Sequence, residues 1–338
     1  MPLHLEPGDG PPSFVDLLAT AGYRAMAAGL RLGVFEALAA EGLSSAGLSS
    51  EGLAARLGTD PRGTALLAEA LVAFGYLERS DDGYTNTAST RKWLSGGGYR
   101  EVDQFWSTVL FESWDGLEES IRSGKPALDF YGWLSSRPET LGRFQGMLSG
   151  HADGIAPEVC GLVPVGARLL DLGGGHAKYA IRLCAEHPGL HATVIDLPEA
   201  LAVGSGAVTD AGMCHRVALW PGDYDSLELG GDYDTVLLFN VVHGRTAAAN
   251  RTLLDRVAAA VRPGGAVVLL EHDEHSEDRA ADAFARVFSL NLFHGQGGQV
   301  YSGAEIEGWL VGAGFAEVAT HPLRTSPGQS LIVARKVV

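Results

Sequence analysis

The chain has 338 residues, 46% of them hydrophobic and 20% charged, enough apolar material for two domains or one large one. Its formal net charge of −16 disfavours nucleic acids and anionic membranes, both of which attract cationic surfaces. Three scattered cysteines, Cys160, Cys184 and Cys214, contain no C-x-x-C pair, so neither a disulfide framework nor a metal site is indicated.

The N-terminus lacks a basic n-region and an apolar h-region, and no apolar run approaches the roughly 18 residues of a membrane span. A cytoplasmic protein is expected. Residues 1–12, rich in Pro and Gly, read as a loose arm. Helical patterning starts at Phe14 and runs through Tyr23. A second helix is expected over Val34–Ala39. After a Ser/Gly-rich loop, Ser50 precedes a short helix ending at Gly58. Asp60-Pro61 caps a longer helix with Leu66, Leu67, Ala70, Leu71 and Phe74 on one face. Two short strands flank Asp81-Asp82-Gly83, a hairpin turn. Three helices and a hairpin make a winged helix. The presumed recognition helix, Arg62 to Phe74, carries one arginine and one glutamate, too little cation for phosphate contacts, so a dimerisation surface is the expected role.

Residues 99–160 read as helices and are unusually aromatic: Tyr99, Phe105, Trp106, Phe111, Trp114, Phe130, Tyr131, Trp133 and Phe144. Most suit a core or a subunit seam; several suit the roof of an apolar pocket. Strand and helix then alternate, with strands over 168–172, 191–196, 215–219, 234–240 and 266–272. Helices fall over 178–187, 199–211, 247–261 and 279–292, and Pro263-Gly264-Gly265 makes the turn before the fifth strand. Phe315–Thr320 and Ser330–Arg335 close the chain as a β-hairpin.

The chemistry gathers around Asp171-Leu172-Gly173-Gly174-Gly175-His176, a strand end, a glycine turn and a helix start. Glycine lets the backbone approach a ligand closely. Lys178 stands where a dinucleotide fingerprint needs its third glycine, which weakens that reading. Asp196 ends the next strand, where an ionised acid suits two ribose hydroxyls. These residues fit an S-adenosylmethionine (SAM) site, another nucleotide, or a bare turn. Asp223, in Pro221-Gly222-Asp223-Tyr224, suits an adenine amino group or a solvated turn. His243 follows the fourth strand, in the crevice beyond the strand carboxyl ends, where an imidazole can take a proton from a hydroxyl. Glu271 ends the fifth strand, placed to orient that imidazole. His272 to His275 read as a solvated loop.

Taken together, Leu32–Leu38, Leu53–Gly58, Asp171–Gly175, Val194–Pro198, Gly222-Asp223, Val242-His243 and Arg262–Gly265 resemble the two-domain SAM-dependent O-methyltransferases of the caffeate and hydroxyindole type, especially bacterial natural-product relatives. The resemblance covers about residues 14–336. It implies a winged-helix dimerisation domain (1–98), a helical substrate-pocket region (99–160) and a Rossmann-like α/β catalytic domain of class I methyltransferase type (161–338). It implies SAM as cofactor, S-adenosylhomocysteine as product, a homodimer and a small aromatic acceptor. His243 would be the base and Glu271 its orienter. Asp171, Gly173, Gly174, Gly175, Asp196, Leu197, Gly222, Asp223, Tyr224 and Asn240 would contact the cofactor. Phe111, Met147, Asn240, Phe288, Asn291, Leu292 and His294 would wall the acceptor pocket. Gly244-Arg245 replaces the usual Asp-Trp, and no second histidine-steering glutamate stands near Val300. These departures keep other chemistries open on the same fold: C- or N-methylation, or SAM-assisted decarboxylation, hydroxylation or pericyclic steps. A winged-helix regulator that senses SAM is the non-enzymatic reading.

Overall fold

The computed structural model describes residues 12–40, 47–95 and 99–337. The expected N-terminal arm up to residue 11 and the Ser/Gly-rich stretch 41–46 lie outside the described residues. The chain forms two units, one of residues up to Ser113 with Gly142–Met147, the other of Trp114–Leu141 and Leu148–Val338.

In the first unit, α1 (Pro12–Leu32) is separated from α2 (Val34–Ala39) by Gly33, whose left-handed φ of 79° stops the helix. Ser49, one residue before the expected cap, accepts the Gly52 N–H and starts α3 (Ser50–Leu57). Asp60 accepts the Gly63 N–H and, with Pro61 in the first turn, starts α4 (Pro61–Ala73). The wing pairs β1 (Leu77–Ser80) with β2 (Gly83–Asn86) in the register Leu77↔Asn86. A side chain at Gly83 would run into the Leu48 carbonyl, which bridges to Tyr84 at this point. The unit continues through α5 (Ala88–Trp93) and α6 (Tyr99–Glu112). Its core gathers Met26, Leu30, Phe35, Leu38, Leu53 and Leu71. The buried face of α4 is Thr64, Ala68 and Leu71; Leu66, expected on it, is 64% exposed. The neighbours available to pack against that helix, rather than its own periodicity, set this rotation.

The second unit opens with α7 (Leu117–Ser123) and α8 (Phe130–Ser135), followed by α9 (Pro138–Leu162), whose residues 142–147 cluster with the first unit. A seven-stranded sheet follows: β3 (Arg168–Leu172), β4 (His191–Asp196), β5 (Val217–Pro221), β6 (Tyr233–Phe239), β7 (Val261–His272), β8 (Phe315–Pro322) and β9 (Gln329–Lys336). Their spatial order is β5-β4-β3-β6-β7-β9-β8; β9 pairs antiparallel with both of its neighbours, β7 and β8, and the other pairs are parallel. Helices α10 (Lys178–Glu186), α11 (Pro198–Asp210), α12 (Ala247–Ala260), α13 (Arg279–Gln296) and α14 (Gly303–Gly312) complete the unit. Alternate strand residues serve two cores. Leu169, Leu237, Val268 and Leu270 face one, while Leu170, Leu172, Val236, Leu238 and Leu269 face the other. Burial on both faces explains why these strands read as unbroken apolar runs.

Three boundaries differ from the sequence expectation. Strand β5 lies two residues later than expected. Strand β7 begins at Val261, so Gly264, with φ +73°, forms an irregularity inside the strand instead of a turn before it. Helix α13 runs on to Gln296 and ends at left-handed Gly297, and α14 was not expected, although Ser302 and Glu305 form a capping box at its start. No helix among the described residues is long and apolar enough to cross a membrane.

Candidate active site

The central parallel strands bring their carboxyl ends to one crevice. Pairing Leu172 of β3 with Leu238 of β6, and Phe239 with Leu270 of β7, sets the loops after them side by side. Gly173 has φ +74°, and a Cβ there would lie 2.9 Å from Val241 and 3.8 Å from the Tyr224 ring. The glycine turn, the loop after β5 and the loop after β6 therefore meet at Gly173. A Cβ at Gly174 would meet Asp171 at 2.4 Å. The tight packing that a third loop glycine allows elsewhere is supplied from α11: at Gly204, a Cβ would stand 2.3 Å from the Gly175 carbonyl oxygen. Lys178, at the expected glycine position, forms an ion pair with Asp153 of α9.

Three acids line this side. Asp171 is 1% exposed, and neither carboxyl oxygen has a hydrogen-bond partner among the described residues. Burial, with Asp196 nearby, pushes its pKa up to about 7. Asp196 accepts the Gly175 N–H at 2.9 Å and the Leu197 N–H at 2.7 Å. Burial raises it, and these two N–H groups pull it back. Leu197 lies beside it with 40% of its surface open. Asp223 is exposed and caps its own turn by accepting the Asp225 N–H. Gly222 gives its N–H to the Asp196 carbonyl, in a conformation (φ +154°) where a side chain would strike Leu227. Arg245 holds the loop after β5 by a two-pronged pair with Asp225, at 2.6 and 2.7 Å, and its guanidinium lies 5.6 Å from the Tyr224 ring. Asn240 occupies left-handed space at φ 57° and fixes the loop through its N–H to the Leu270 carbonyl.

The relay forms as its residue types suggest. His243 Nδ1 lies 2.5 Å from Glu271 Oε2, and the other carboxylate oxygen of Glu271 accepts the Val242 N–H at 2.7 Å. With Nδ1 committed to a carboxylate, Nε2 is the nitrogen left for a substrate proton. The histidine loop is also tied by Asn250 to the Val242 carbonyl and by the Tyr301 hydroxyl to the Arg245 carbonyl. Gly298 backs onto it so closely that a Cβ would lie 2.0 Å from the His243 carbonyl oxygen. Val300 is buried and gives its N–H to Ser289; among the described residues Glu271 alone pairs with His243. A side chain at Gly244 would meet the amide of Gln296.

The other expected pocket residues divide. The Phe288 ring stands edge-on to His243, with centroids 5.1 Å apart. Leu292 is in the core. Asn291 accepts the Trp114 indole N–H at 3.0 Å. His294 is 1% exposed, and its Nδ1 lies 2.7 Å from the Ser120 hydroxyl. Phe111 and Met147 belong to the first unit, where the Phe111 ring packs against Tyr23 and carries the Arg24 guanidinium 3.7 Å above it.

Two residues escaped sequence reasoning. His272 is no solvated loop residue: its ring packs against Phe284 at 5.5 Å, Phe288 at 5.1 Å and His243 at 6.0 Å. The only sequence signal was its place directly after Glu271. Tyr131 of α8 has a half-exposed ring, yet its phenol is pushed up by burial and by the nearby Tyr224 and Asp196.

Residues 159–316 match the O-methyltransferase domain and residues 18–96 match the O-methyltransferase dimerisation domain, which assigns a homodimer. The chain is 30% identical to the 3-hydroxy-5-methyl-1-naphthoate 3-O-methyltransferase of Streptomyces sahachiroi, over 97% of this chain and 96% of that protein. It is 29% identical to the tetracenomycin polyketide synthesis 8-O-methyltransferase of Streptomyces glaucescens, over 97% of each. Human N-acetylserotonin methyltransferase, solved in complex with SAM, shares the fold with a TM-score of 0.80 at 22% identity, over 98% of this chain and 100% of that one. The chain belongs to the family of two-domain, SAM-dependent O-methyltransferases.

Proposed function

We propose that the protein methylates a phenolic hydroxyl of a small aromatic natural product or biosynthetic intermediate, with His243 as general base. The observation that carries this reading is the 2.5 Å pairing of His243 Nδ1 with the buried Glu271 carboxylate. Glu271 orients the ring, fixes the tautomer that leaves Nε2 free, and stabilises the imidazolium formed when His243 takes the proton.

The cofactor half of the crevice fits SAM. Gly173 and Gly174 leave the backbone bare where side chains would collide with Val241 and Asp171, and Gly175 gives its N–H to Asp196. Asp196 accepts one N–H at each carboxylate oxygen and retains lone pairs for the two ribose hydroxyls. The unpartnered carboxyl of Asp171 suits a cationic ligand group close to the turn. Leu197, Asn240, Gly222, Asp223 and Tyr224 border the same space, with Asp223 placed for an adenine amino group and Tyr131 as a further wall. When bound, SAM supplies a methyl group already activated by the sulfonium. The protein holds the acceptor in line with that methyl, keeps water out with Phe288 and removes the hydroxyl proton.

We further propose that residues 99–160 contribute to covering the acceptor, and that the enzyme works in the cytoplasm. Its three free cysteines suit a reducing compartment.

The test combines calorimetric titration with S-adenosylhomocysteine and transfer of labelled methyl from SAM to a panel of naphthols and hydroxynaphthoates. Asp196→Ala is expected to lose S-adenosylhomocysteine binding. His243→Ala is expected to retain it and lose about 10²–10⁴-fold in turnover. Unchanged turnover in His243→Ala would remove the base assignment.

A further inference from the structure

Strand β7 ends in two polar residues with different surroundings. Glu271 is committed to His243 and the Val242 N–H. His272 meets a different set: Phe284, Phe288 and the His243 ring on one side, and Gln329 of β9 on the other. Gln329 is 2% exposed, and its amide oxygen accepts from the Ser326 hydroxyl and from His151 Nε2, each at 2.7 Å. Its amide nitrogen is thereby turned to His272 Nε2, 3.4 Å away. An amide N–H can only donate, so His272 Nε2 accepts and the ring proton sits on Nδ1. Nδ1 has no hydrogen-bond partner among the described residues. Burial holds the ring neutral, with a pKa lowered to about 3, and the neighbouring His243 and His151 act in the same direction.

We propose that His272 belongs to the acceptor site and donates an Nδ1–H hydrogen bond to a carbonyl oxygen ortho or peri to the hydroxyl that His243 deprotonates. The acceptor class is then hydroxyaryl ketones and quinones. The proposal rests on the methyl-transfer reading of His243. Its physical basis is a conflict inside such acceptors. A phenol beside a carbonyl hydrogen-bonds to that carbonyl internally, which withholds its proton from an outside base. A donor to the carbonyl's other lone pair draws electron density from that oxygen, which weakens the internal bond, and it stabilises the phenolate that forms as His243 takes the proton. The donor also has to be neutral. A cation whose ring lies 6.0 Å from His243 would oppose formation of the imidazolium there. Phe284 and Phe288, stacked at 5.3 Å with 19° between their planes, offer an aromatic surface beside the two imidazoles.

The experiment uses 1-hydroxy-2-acetonaphthone and 1-naphthol, which share the ring and the hydroxyl and differ in the carbonyl. Both are titrated calorimetrically into the intact protein saturated with S-adenosylhomocysteine, and into His272→Phe treated the same way. The parent is expected to bind the ketone about tenfold more tightly than the naphthol, the worth of one neutral hydrogen bond. His272→Phe is expected to lose that preference while keeping its affinity for 1-naphthol and for S-adenosylhomocysteine. Nitrogen-15 spectra of the parent are expected to show His272 protonated on Nδ1. A parent with no preference for the ketone, including one that binds neither probe, overturns the proposal. So does a preference that survives in His272→Phe, or a His272 protonated on Nε2. Failure of the parent to bind S-adenosylhomocysteine overturns the underlying methyl-transfer reading, and is seen in the first titration, before either probe is added.

Discussion

Asp171→Asn in the protein without cofactor tests the buried acid directly. Asp171 is 1% exposed, its two oxygens are unpartnered, and its pKa rises to about 7 from the usual carboxylate value near 4. A folded-state pKa above the unfolded one gives stability that is fully present below about pH 4. That stability is lost as pH rises through 7, because the unfolded chain gives up its proton first. A shift of this size corresponds to about 4 kcal/mol at pH 8. Asparagine has nearly the same shape and cannot ionise, so it carries none of this penalty. The variant is expected to match the parent near pH 4.5 and to exceed it progressively up to pH 8. The gap in melting temperature should reach about 8 °C, at about 2 °C per kcal/mol for a chain this long. Calorimetric unfolding from pH 4.5 to 8.5 measures it. S-adenosylhomocysteine is expected to narrow the gap at pH 8, since its ammonium gives the ionised Asp171 the partner it lacks and gives asparagine nothing comparable. Parallel melting profiles for parent and variant across this range would refute the burial argument.

Glu271→Gln keeps the side chain's shape and its bond to the Val242 N–H, but replaces the charged partner of His243 with a neutral amide. Turnover is expected to fall about 10²-fold or more with S-adenosylhomocysteine affinity unchanged, read by steady-state kinetics beside calorimetry. Equal losses in both readouts would mean that the loop had collapsed instead. Gly204→Ala places a methyl group 2.3 Å from the Gly175 carbonyl oxygen, so the turn has to shift. S-adenosylhomocysteine is expected to bind at least about tenfold more weakly, while a melting profile of the cofactor-free protein changes little. Wild-type affinity in this variant would show that the turn tolerates displacement.

The features legible in the sequence are those set by neighbours along the chain. Gly58 closes a helix, Asp60-Pro61 opens one, and Asp171, Asp196, His243 and Glu271 stand at strand ends because apolar runs stop there. What escaped depends on partners far away. Asn291 and His294 sit on a pattern that suits a pocket wall, and the structure adds that Asn291 Oδ1 meets Trp114 and His294 Nδ1 meets Ser120, more than 170 positions earlier. Those contacts anchor α13 past the expected end at 292. His272 looked like the start of a polar loop because only the pairing of β7 with β9 puts Gln329 beside it. The orphaned state of Asp171 needs the burial of both its oxygens, which no local pattern records. The capping box of α14 is different: Ser302 and Glu305, and the glycines Gly297-Gly298 that end α13 before them, are local signals that a helix starts there.

The charges in the crevice explain why one carboxylate can serve this relay. Asp171 and Asp196 are both raised by burial, so each is held at a cost until a cation stands near it. Glu271, by contrast, has partners within the protein: one carboxylate oxygen lies 2.5 Å from His243 Nδ1 and the other accepts the Val242 N–H at 2.7 Å. Transfer of a methyl cation and loss of a phenolic proton move one positive charge from the first group of acids to the second. On the proposed reading, Glu271 stabilises His243 as that charge arrives. The rings of Phe288 and of His272, which burial holds neutral, also pack against His243, and Glu271 is its one charged partner among the described residues.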